Sequence, residues 1–390
     1  MAQTIDQAKT GGFENVAVIG FGLIGASFAA ALRAANPSAQ VMAVDTDLAT
    51  RVEAVNRGWA TATAAPDAAE FRAFIEESCD LVVLATPVSV VEGYLKDLAE
   101  WDYRGIITDT ASTKSRIIEM AAHTLPYPQN FVPGHPMAGS EKNGIVGARA
   151  DLFKGAYWIL CPDADTPAEH FTRLHELITG IGARVISLPR EQHDAAVAVV
   201  SHVPHFTASS LVQLAVRHAK GQDSLMRLAA GGFKDSTRIA AGSPELWCGI
   251  AFDNKDALLG GLREMQGIIG QFADALEAGD RATLTSLLAE AADARRALPA
   301  AWLPCTERLL EVRIPMEDRP GVVAEVTTIT SKVGCNIQSI EIDHVTEDSA
   351  VLSLVLTDEG DIGKLSAHII NACFSVSFSP LAPKEHTHVG

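Results

Sequence analysis

The amino-acid sequence predicts three folds in succession: an α/β domain with a parallel sheet, an all-helical domain, and a small β-α-β-β-α-β module. Three observations predict this order. Short apolar runs alternate with helical stretches through the first half, strand signals almost vanish from about His193 to Leu298, and alternating strand patterns return after Pro304. We place the domains at 14–190, 191–303 and 304–383. The length of 390 residues agrees with two to three domains, since a domain takes roughly 150 residues.

The first domain is predicted from four short strands with apolar interiors: Val16–Ile19, Gln40–Val44, Leu81–Ala85 and Gly105–Asp109. Helical stretches such as Leu23–Arg33 separate them. Apolar strands that alternate with helices are typical of a parallel sheet covered on both faces. Two later runs, Trp158–Cys161 and Arg184–Ser187, are interpreted as further strands of the same sheet.

A glycine-rich motif follows the first strand and opens the first helix: Gly20-Phe21-Gly22-Leu23-Ile24-Gly25. In this context GxGxxG predicts a Rossmann dinucleotide site. Gly20 permits a tight turn, Gly22 lets the backbone approach a pyrophosphate, and Gly25 lets the helix pack on the strand. The helix N-terminus then faces the phosphate charge. A tight turn that binds no nucleotide is the alternative interpretation.

Asp45 ends the second strand, 20 residues beyond Gly25. A carboxylate at this point accepts hydrogen bonds from the ribose hydroxyls of NAD and repels the 2′-phosphate of NADP. No lysine or arginine follows Asp45 before Arg51, so the sequence favours NAD. FAD uses the same fingerprint, but the rest of the chain shows no second nucleotide-binding pattern.

The apolar residues of the second domain occupy more than one face of each predicted helix. The pattern is clearest in HDAAVAVVSHVPHFTASSLVQLAV and in ELWCGIAFDNKDALLGGLREMQGIIGQFADALEAG. A helix that is apolar on several faces has to be buried on several faces, and a second subunit is one way to bury it. We therefore expect a homodimer, with an ordinary helical core as the alternative.

The third domain reads as a ferredoxin-like module, because its strands and helices follow the order β-α-β-β-α-β. A turn at Asp318–Gly321 separates its first strand from its first helix. The predicted elements are Leu309–Ile314, Val322–Val333, Asn336–Asp343, Ala350–Thr357, Ile362–Ala372 and Phe374–Phe378.

Composition limits the partners of the chain. Aspartate and glutamate number 48 against 31 lysines and arginines, and a net charge of −17 repels nucleic acid and anionic lipid. No run reaches the roughly 18 uncharged apolar residues of a membrane span, and the first residues lack the apolar core of a signal peptide. Six cysteines without paired spacing indicate reduced thiols and no metal site. We expect a cytoplasmic protein that binds neither nucleic acid nor membrane.

His135 is the first candidate for proton transfer, because Gly134 and Pro136 hold it in what reads as a stiff loop. A second polar cluster, Thr110–Lys114, follows the fourth strand. Parallel sheets gather chemistry at the carboxyl ends of their strands, and imidazole is suited to take a proton from a hydroxyl near neutral pH. A turn histidine that only caps a helix is the alternative.

Polar residues also interrupt the apolar helices of the second domain. His202 and His205 could suggest a metal site, but Pro204 disturbs the helix between them and no carboxylate lies at a ligand spacing. A proline-kinked helix that faces a cleft is the favoured interpretation.

Arg238 lies between Gly231-Gly232 and Gly242 and suits a bidentate clamp for a carboxylate. Pattern alone leaves this role open, since an ion pair with Asp235 or Glu245 would need the same residue.

Several segments, taken in order, resemble the prephenate dehydrogenases of tyrosine biosynthesis: GFGLIGASFAAALR, ATPV, DTASTK, GHPMAGSEKNG, HDAAVAVVSHVPH and GGFKDSTRIAAGSPELW. The resemblance covers roughly residues 14 to 300. It implies the NAD-dependent oxidative decarboxylation of prephenate to 4-hydroxyphenylpyruvate, with arogenate as the alternative substrate. It also implies that Thr86 and Pro87 of ATPV lie among the cofactor-binding residues.

The same resemblance implies roles at the catalytic site. His135 would hydrogen-bond the ring hydroxyl and accept its proton, Ser112 would orient both groups, and Arg238 would bind a substrate carboxylate. The further residues it implies are Ser140, His205 and Lys234 in the pocket, Glu141 at its mouth, Asp194 in support, and Trp247 at a wall contributed through the dimer.

The C-terminal module resembles an ACT domain in two turns, Asp318-Arg319-Pro320-Gly321-Val322 and Gly334-Cys335-Asn336-Ile337. The resemblance implies pairing of modules, which could build a tetramer from dimers, and an amino-acid effector, tyrosine. Its carboxylate would be held by backbone amides of the glycine turn. The implied effector residues are Asp318, Gly321, Val322, Asn336 and Ile337. Pairing without a ligand is the alternative.

Two other functions fit part of the sequence. A β-hydroxyacid dehydrogenase or imine reductase also joins a Rossmann domain to a dimeric helical domain, but it usually relies on a lysine of the helical domain and does not predict GHPMAGSEK. A non-catalytic sensor of NAD and an amino acid is opposed by the joint presence of Ser112, His135 and Arg238.

Overall fold

The computed structural model describes residues 11–140, 142, 144–219, 229–297, 309–317, 319–335, 337–344, 346, 349–357 and 360–380. These residues form two compact units: one lies within 1–193 and 304–390, the other within 194–303. The division expected near 190 therefore falls between His193 and Asp194. The boundary expected near 304 falls between Leu303 and Pro304, where the second unit ends and the first resumes. The C-terminal module therefore shares a unit with the α/β domain.

A parallel sheet of six strands, in the order β3-β2-β1-β4-β5-β6, forms the N-terminal part of the first unit. Its strands are β1 Asn15–Ile19, β2 Gln40–Val44, β3 Ala62–Ala64, β4 Leu81–Leu84, β5 Ile106–Asp109 and β6 Phe131–Val132. Every neighbouring pair is parallel. All four predicted strands are present, and their observed ends differ from the predicted ends by at most one residue. The two strands that the sequence does not predict, β3 and β6, are the short edge strands.

Helices cover both faces of this sheet. They are α1 Leu23–Ala35, α2 Leu48–Asn56, α3 Ala69–Glu77, α4 Val88–Glu100, α5 Ser115–Thr124 and α6 Ala168–Gly180. Because side chains alternate along a strand, Val16 and Val18 of β1 enter one buried core, whereas Ala17 and Ile19 enter another. A strand with a core on each side has to be apolar throughout, which is why these strands can be recognised in the sequence.

A second sheet of seven strands has the order β11-β12-β10-β13-β9-β8-β7. Its strands are β7 Gly134–Pro136, β8 Tyr157–Leu160, β9 Arg184–Ser187, β10 Leu309–Glu317, β11 Ile337–His344, β12 Ser349–Thr357 and β13 Val376–Pro380. The prediction that Trp158–Cys161 and Arg184–Ser187 extend the first sheet is wrong. β8 pairs with β7 and β9 instead, and β9 pairs with β13 of the C-terminal module.

Pro133 accounts for the change of sheet. It lies between β6 and β7 and has no N–H to donate, so the ladder of the first sheet ends at Val132. Its carbonyl accepts a hydrogen bond of 2.9 Å from the backbone N–H of Cys161, just beyond β8. The chain after Pro133 is thereby paired with a new partner.

The described residues of the second unit form helices and connecting turns, with no strand among them. A helix that starts in the first unit, α7 Arg190–Val197, leads into it, followed by α8 Val203–Ala219, α9 Gly231–Thr237, α10 Pro244–Asp253, α11 Lys255–Glu277 and α12 Arg281–Ala297. A π-helical turn at Ala198–His202 joins α7 to α8. Pro204 lacks the N–H that would donate to the carbonyl of Val200, so regular α-helical bonding is interrupted at this turn. This confirms the predicted irregularity.

Many large apolar side chains of the helical unit are exposed in the single chain. They are Val199, Val200, Leu211, Leu214, Val216, Ile239, Leu246, Phe252, Leu259, Ile268, Ile269, Leu276 and Leu288. One helix of the described chain, Arg190–Ala219, is long and apolar enough to cross a membrane by length and composition, a criterion that core helices of globular proteins also meet.

The C-terminal module has the element order β10, α13 Val322–Lys332, β11, β12, α14 Ile362–Asn371, β13. Its strands pair antiparallel in the order β11-β12-β10-β13. One face of these strands and the two helices enclose a core that includes Val312, Val326, Leu354 and Ile369.

Candidate active site

The glycine-rich turn between β1 and α1 has the geometry that its glycines predict. Gly20 has φ +88°, and a Cβ there would lie 2.6 Å from the carbonyl oxygen of Ala85. A Cβ on Gly25 would collide with the carbonyl oxygen of Gly20. Gly22, in contrast, has open space where a Cβ would project, so a ligand can approach the backbone there. All three positions therefore suit a bound dinucleotide.

The first turn of α1 is not capped by a side chain. Unpaired N–H groups at a helix N-terminus attract an anion such as a pyrophosphate. Phe21 is fully buried, whereas Leu23 and Ile24 are partly buried and pack against the same core. The turn therefore presents backbone N–H groups from a tightly packed base.

Asp45 holds this turn to the end of β2. Its carboxylate accepts hydrogen bonds from the backbone N–H of Phe21, at 2.8 Å, and from that of Asp47, at 2.9 Å. Arg51 Nη1 donates to the carbonyl oxygen of Asp45 at 3.2 Å. The predicted ribose acceptor is thus oriented by two N–H groups, and a guanidinium lies beside its backbone.

Thr86 and Pro87 follow β4, which neighbours β1. The Thr86 hydroxyl is buried and has no hydrogen-bond partner among the described residues, and Pro87 is the N-cap of α4. An unsatisfied buried hydroxyl costs free energy unless a ligand or water completes it. With the uncapped helix and the open position at Gly22, this hydroxyl fits a site for NAD.

His135 lies on strand β7 and not in the loop that the sequence predicts. Its backbone pairs with Ile159 of β8, and its side chain is buried. The close approach of Gly134 to β5 explains the glycine before it, since a Cβ at Gly134 would lie 2.7 Å from the carbonyl oxygen of Asp109. A paired strand fixes this histidine more rigidly than a loop would.

The imidazole of His135 lies beside that of His193, which is the last residue of the first unit before the chain enters the second. Nδ1 of His135 and Nε2 of His193 are 2.8 Å apart, and the rings meet edge to face at 70°. Both rings are buried, His193 completely. No local sequence pattern gives His193 a role, because the two residues are 58 positions apart.

A buried ion pair is hydrogen-bonded to the strand that carries His135. Lys114 Nζ donates to a carboxylate oxygen of Asp109 and to the carbonyl oxygen of Gly134, the latter at 2.7 Å, and both charged side chains are fully buried. The Asp109 carboxylate also accepts from the backbone N–H groups of Gly134, at 3.0 Å, and Ala111, at 2.9 Å. Both residues stand in DTASTK, but only the fold shows that they pair.

Ser112 lies in the short loop held by this ion pair, between β5 and α5, and is half-buried. Ser140 follows β7 and is exposed, and its hydroxyl accepts from the backbone N–H of Lys142 at 3.2 Å. Glu141 lies outside the described residues.

In the helical unit, His205 and Trp247 stack with ring centroids 3.6 Å apart and planes at 12°. Gly242 makes the stack possible, because a Cβ there would lie 2.7 Å from the indole nitrogen of Trp247. Burial lowers the pKa of His205, and its Nδ1 has no hydrogen-bond partner among the described residues. This unsatisfied nitrogen is suited to contact a polar ligand.

Asp194 is buried at the start of the same unit, and its carbonyl oxygen accepts from Asn254 Nδ2 at 2.7 Å. Lys234 lies on α9, and Arg238 on the 3-10 turn that follows it; both are exposed. The structure thus groups His135, Ser112, Ser140 and the nucleotide turn in the first unit. It groups Asp194, His205, Lys234, Arg238 and Trp247 in the second.

In the C-terminal module, Gly321 has φ +88° and is the N-cap of α13. Val322 is buried in the core of the module, and Ile337 opens β11. The other two predicted effector residues, Asp318 and Asn336, lie outside the described residues.

Comparison with known proteins gives matches along most of the chain. The family models described as the nucleotide-binding and dimerization domains of prephenate dehydrogenase match residues 28–187 and 189–290. The prephenate dehydrogenase of Bacillus subtilis is 32% identical over 352 residues, 89% of this chain and 93% of the relative. The cyclohexadienyl dehydrogenase of Zymomonas mobilis is 34% identical over 292 residues, 73% of this chain and 96% of the relative.

Among solved structures, the prephenate dehydrogenase of Aquifex aeolicus in complex with hydroxyphenyl propionate and NAD+ superposes with a TM-score of 0.69. Its sequence is 27% identical, and the match covers 74% of this chain and 99% of the solved one.

Proposed function

Because the chain belongs to the prephenate dehydrogenase family of NAD-binding oxidoreductases, we propose that it catalyses the NAD-dependent oxidative decarboxylation of prephenate to 4-hydroxyphenylpyruvate. One observation carries the proposal. A buried histidine on a paired strand, His135, lies in the same compact unit as a dinucleotide turn in which Gly20 and Gly25 are sterically required.

The chain supplies the base and the orientation of the substrate. His135 accepts the proton of the ring hydroxyl, and Ser112 orients that hydroxyl toward it. The bound NAD supplies the acceptor for the hydride that leaves the carbinol carbon. Loss of carbon dioxide makes the ring aromatic, so the protein mainly positions and deprotonates its substrate.

The groups that hold the substrate follow from its charge. Prephenate is a dianion, and a chain of net charge −17 needs local cations to bind it. We assign one carboxylate to Arg238, whose guanidinium can make two parallel hydrogen bonds. Lys234 and the His205–Trp247 stack complete the binding groups of the helical unit, with Asp194 in support. Ser140 and Glu141 do so in the first unit.

Arg238→Ala should raise KM for the substrate by about 10- to 100-fold, as expected for the loss of a charge-assisted hydrogen-bonded pair. The KM for NAD should change little. Arg72→Ala is a suitable control, since Arg72 makes an exposed ion pair with Glu76 on α3. An unaltered KM for the substrate in Arg238→Ala would remove the clamp from the mechanism.

Arogenate is the second candidate substrate, because the Zymomonas mobilis relative at 34% identity is a cyclohexadienyl dehydrogenase. The deciding experiment measures NADH formation with prephenate and with arogenate side by side, each with and without tyrosine. We expect turnover with prephenate. Turnover with arogenate alone would replace the proposed substrate, and turnover with neither would overturn the proposed reaction.

We further assign the C-terminal module to the ACT domains, with tyrosine as its effector. The βαββαβ order and the positive φ of Gly321 before α13 support this assignment. The match to the Bacillus subtilis relative takes in 89% of the chain, so it must extend into this module. Loss of NADH formation on adding tyrosine is the expected result of the paired assay.

The second sheet offers a route by which such an effector could act. β13 of the module pairs with β9, β9 with β8, and β8 with the strand of His135. The hydroxyl of Ser375 also donates to the side chain of Gln192, next to His193. A shift of the module would therefore be transmitted to His135 through backbone hydrogen bonds and to His193 through this side-chain bond.

We also propose that the chain forms a homodimer through the exposed apolar residues of its helical unit, which the dimerization-domain match supports. Pairing of C-terminal modules would then build a tetramer. Sedimentation of the full chain measures both. The acidic surface fits a cytoplasmic enzyme without nucleic-acid or membrane partners.

A further inference from the structure

The contact between His135 and His193 limits which of their ring nitrogens can carry a proton. Two neutral imidazoles can share a hydrogen bond only if one ring donates its N–H and the other accepts. The atoms in contact are Nδ1 of His135 and Nε2 of His193, 2.8 Å apart. Because both rings are buried, bulk water does not replace this bond.

Only one of the two arrangements leaves His135 able to act as a base. If His193 Nε2 carried the proton and donated it, the proton of neutral His135 would sit on Nε2, and that nitrogen could not accept another. If His135 Nδ1 donates, its Nε2 keeps a lone pair that can take a proton from a hydroxyl. The identity of the donor therefore decides whether this histidine can perform the chemistry.

We propose that His193 is a positioning residue, which accepts the hydrogen bond from Nδ1 of His135 and so holds His135 in the tautomer with a basic Nε2. This inference rests on the proposed role of His135 as the base. When Nε2 takes the substrate proton, His135 becomes an imidazolium, and the Nδ1–H to Nε2 bond stabilises its positive charge. In this role His193 does not touch the substrate, and none of the covalent bonds of His193 changes.

The surroundings keep His193 in place for this task. Its backbone N–H donates to the carbonyl oxygen of Pro189 at 2.9 Å in the first turn of α7. Two charged groups beside the His135 strand, Asp109 and Lys114, bond to each other and to Gly134. Asp194 follows His193 in sequence and is also buried. His193 is thus a titratable side chain, fixed by its helix, that bonds directly to the ring of His135.

The test compares two substitutions at position 193. His193→Gln places an amide oxygen near the position of Nε2, so it can still accept from His135. His193→Leu has similar bulk and accepts nothing. We expect His193→Leu to lower kcat by about 100-fold, with the KM for NAD within twofold. It should also move the acid limb of the kcat/KM profile to lower pH, because the imidazolium of His135 loses its partner. His193→Gln should recover at least a tenth of the wild-type kcat.

His175→Leu is the matched control. His175 lies on α6 of the same unit, between Phe171 and Phe378, and it also exchanges a packed imidazole for an apolar side chain. Its kcat and pH profile should follow those of the wild type. NAD binding, measured by fluorescence titration, checks that each variant is folded.

A second measurement reads the tautomer directly. In the protein labelled with ¹⁵N-histidine, long-range ¹H–¹⁵N correlations should show His135 protonated at Nδ1 in the wild type at a pH where it is neutral. A wild-type His135 protonated at Nε2, or a His193→Leu variant with normal kcat and pH profile, would overturn the inference. If His135→Asn itself leaves turnover unchanged, the proposed base fails as well, and the two failures are thereby distinguished.

Discussion

The two sheets of the first unit are built differently and carry different parts of the proposed chemistry. The first is parallel and buried between two cores, and it ends in the glycine turn that fits NAD. The second mixes parallel and antiparallel pairs, takes strands from distant parts of the chain, and carries His135. Asp109 links them, because it ends β5 of the first sheet and its carboxylate accepts from Gly134 of β7. Cofactor binding and proton transfer can therefore be disturbed separately, except at this link.

His135→Asn is expected to separate turnover from NAD affinity more than any other substitution considered. Asparagine fits the space but cannot take up a proton, so turnover should fall by about 10²- to 10⁴-fold. NAD affinity should stay nearly intact, since the glycine turn belongs to the other sheet. Steady-state NADH formation and a fluorescence titration with NAD measure the two effects. The exposed His123 provides a control in His123→Asn, and turnover within a few-fold of wild type in His135→Asn would refute the assignment of the base.

Lys114→Met should affect both sheets, because it removes one partner of the ion pair that joins them. The Asp109 carboxylate would remain buried without its cation, which typically costs about 3–5 kcal/mol of unfolding free energy. Urea unfolding of the full chain measures this loss.

The double variant Asp109→Asn with Lys114→Met leaves no uncompensated charge, so it should be more stable than Lys114→Met alone. Equal stability of the two variants would mean that the pair contributes packing and not charge compensation.

The same contrast explains how much the sequence could predict. β1, β2 and β4 are recognisable because each has a core on both sides and is apolar almost throughout, and β5 because Ile106 and Ile107 enter the two cores. β7 cannot be recognised in the sequence, because two of its three residues, Gly134 and Pro136, are typical of turns. Its partner β8 also begins some twenty residues later in the chain. Only the paired strands show that it belongs to a sheet.

At the site, single residues were easier to predict than their partners. His135 and the glycine turn stand out because residue type and neighbours are enough to suggest chemistry. The contact of His135 with His193 spans 58 positions, and the Asp109–Lys114 pair depends on how the loop after β5 folds back. Such contacts are properties of the tertiary structure, and no local pattern specifies them.

Asp45→Ser should act on the first sheet alone. The substitution removes the carboxylate expected to bind the ribose hydroxyls and its bonds to the N–H groups of Phe21 and Asp47. We expect KM for NAD to rise about tenfold, the loss of one to two charge-assisted hydrogen bonds. Use of NADP should improve, because Arg51 lies beside this position.

Asp47→Ser is the matched control for this change. Asp47 is the N-cap of α2 and accepts from Ala49 and Thr50, a role that serine can also fill. It should leave the preference for NAD unchanged. If Asp45→Ser does so too, the carboxylate does not select the cofactor.

The smallest effect is expected where α6 packs against the second sheet. His175 lies between Phe171 and Phe378, with ring centroids 6.0 Å from each, and burial lowers its pKa to about 4. Histidine in an unfolded chain has a pKa near 6.5, so the unfolded state binds the proton more tightly. The stability that neutral His175 provides is therefore complete above pH 6.5 and is lost as the pH falls toward 4. Urea unfolding midpoints at pH 8 and pH 5 measure this loss, which His175→Leu should reduce because leucine does not titrate. If both proteins lose the same stability between these values, the acid sensitivity arises elsewhere and not from His175.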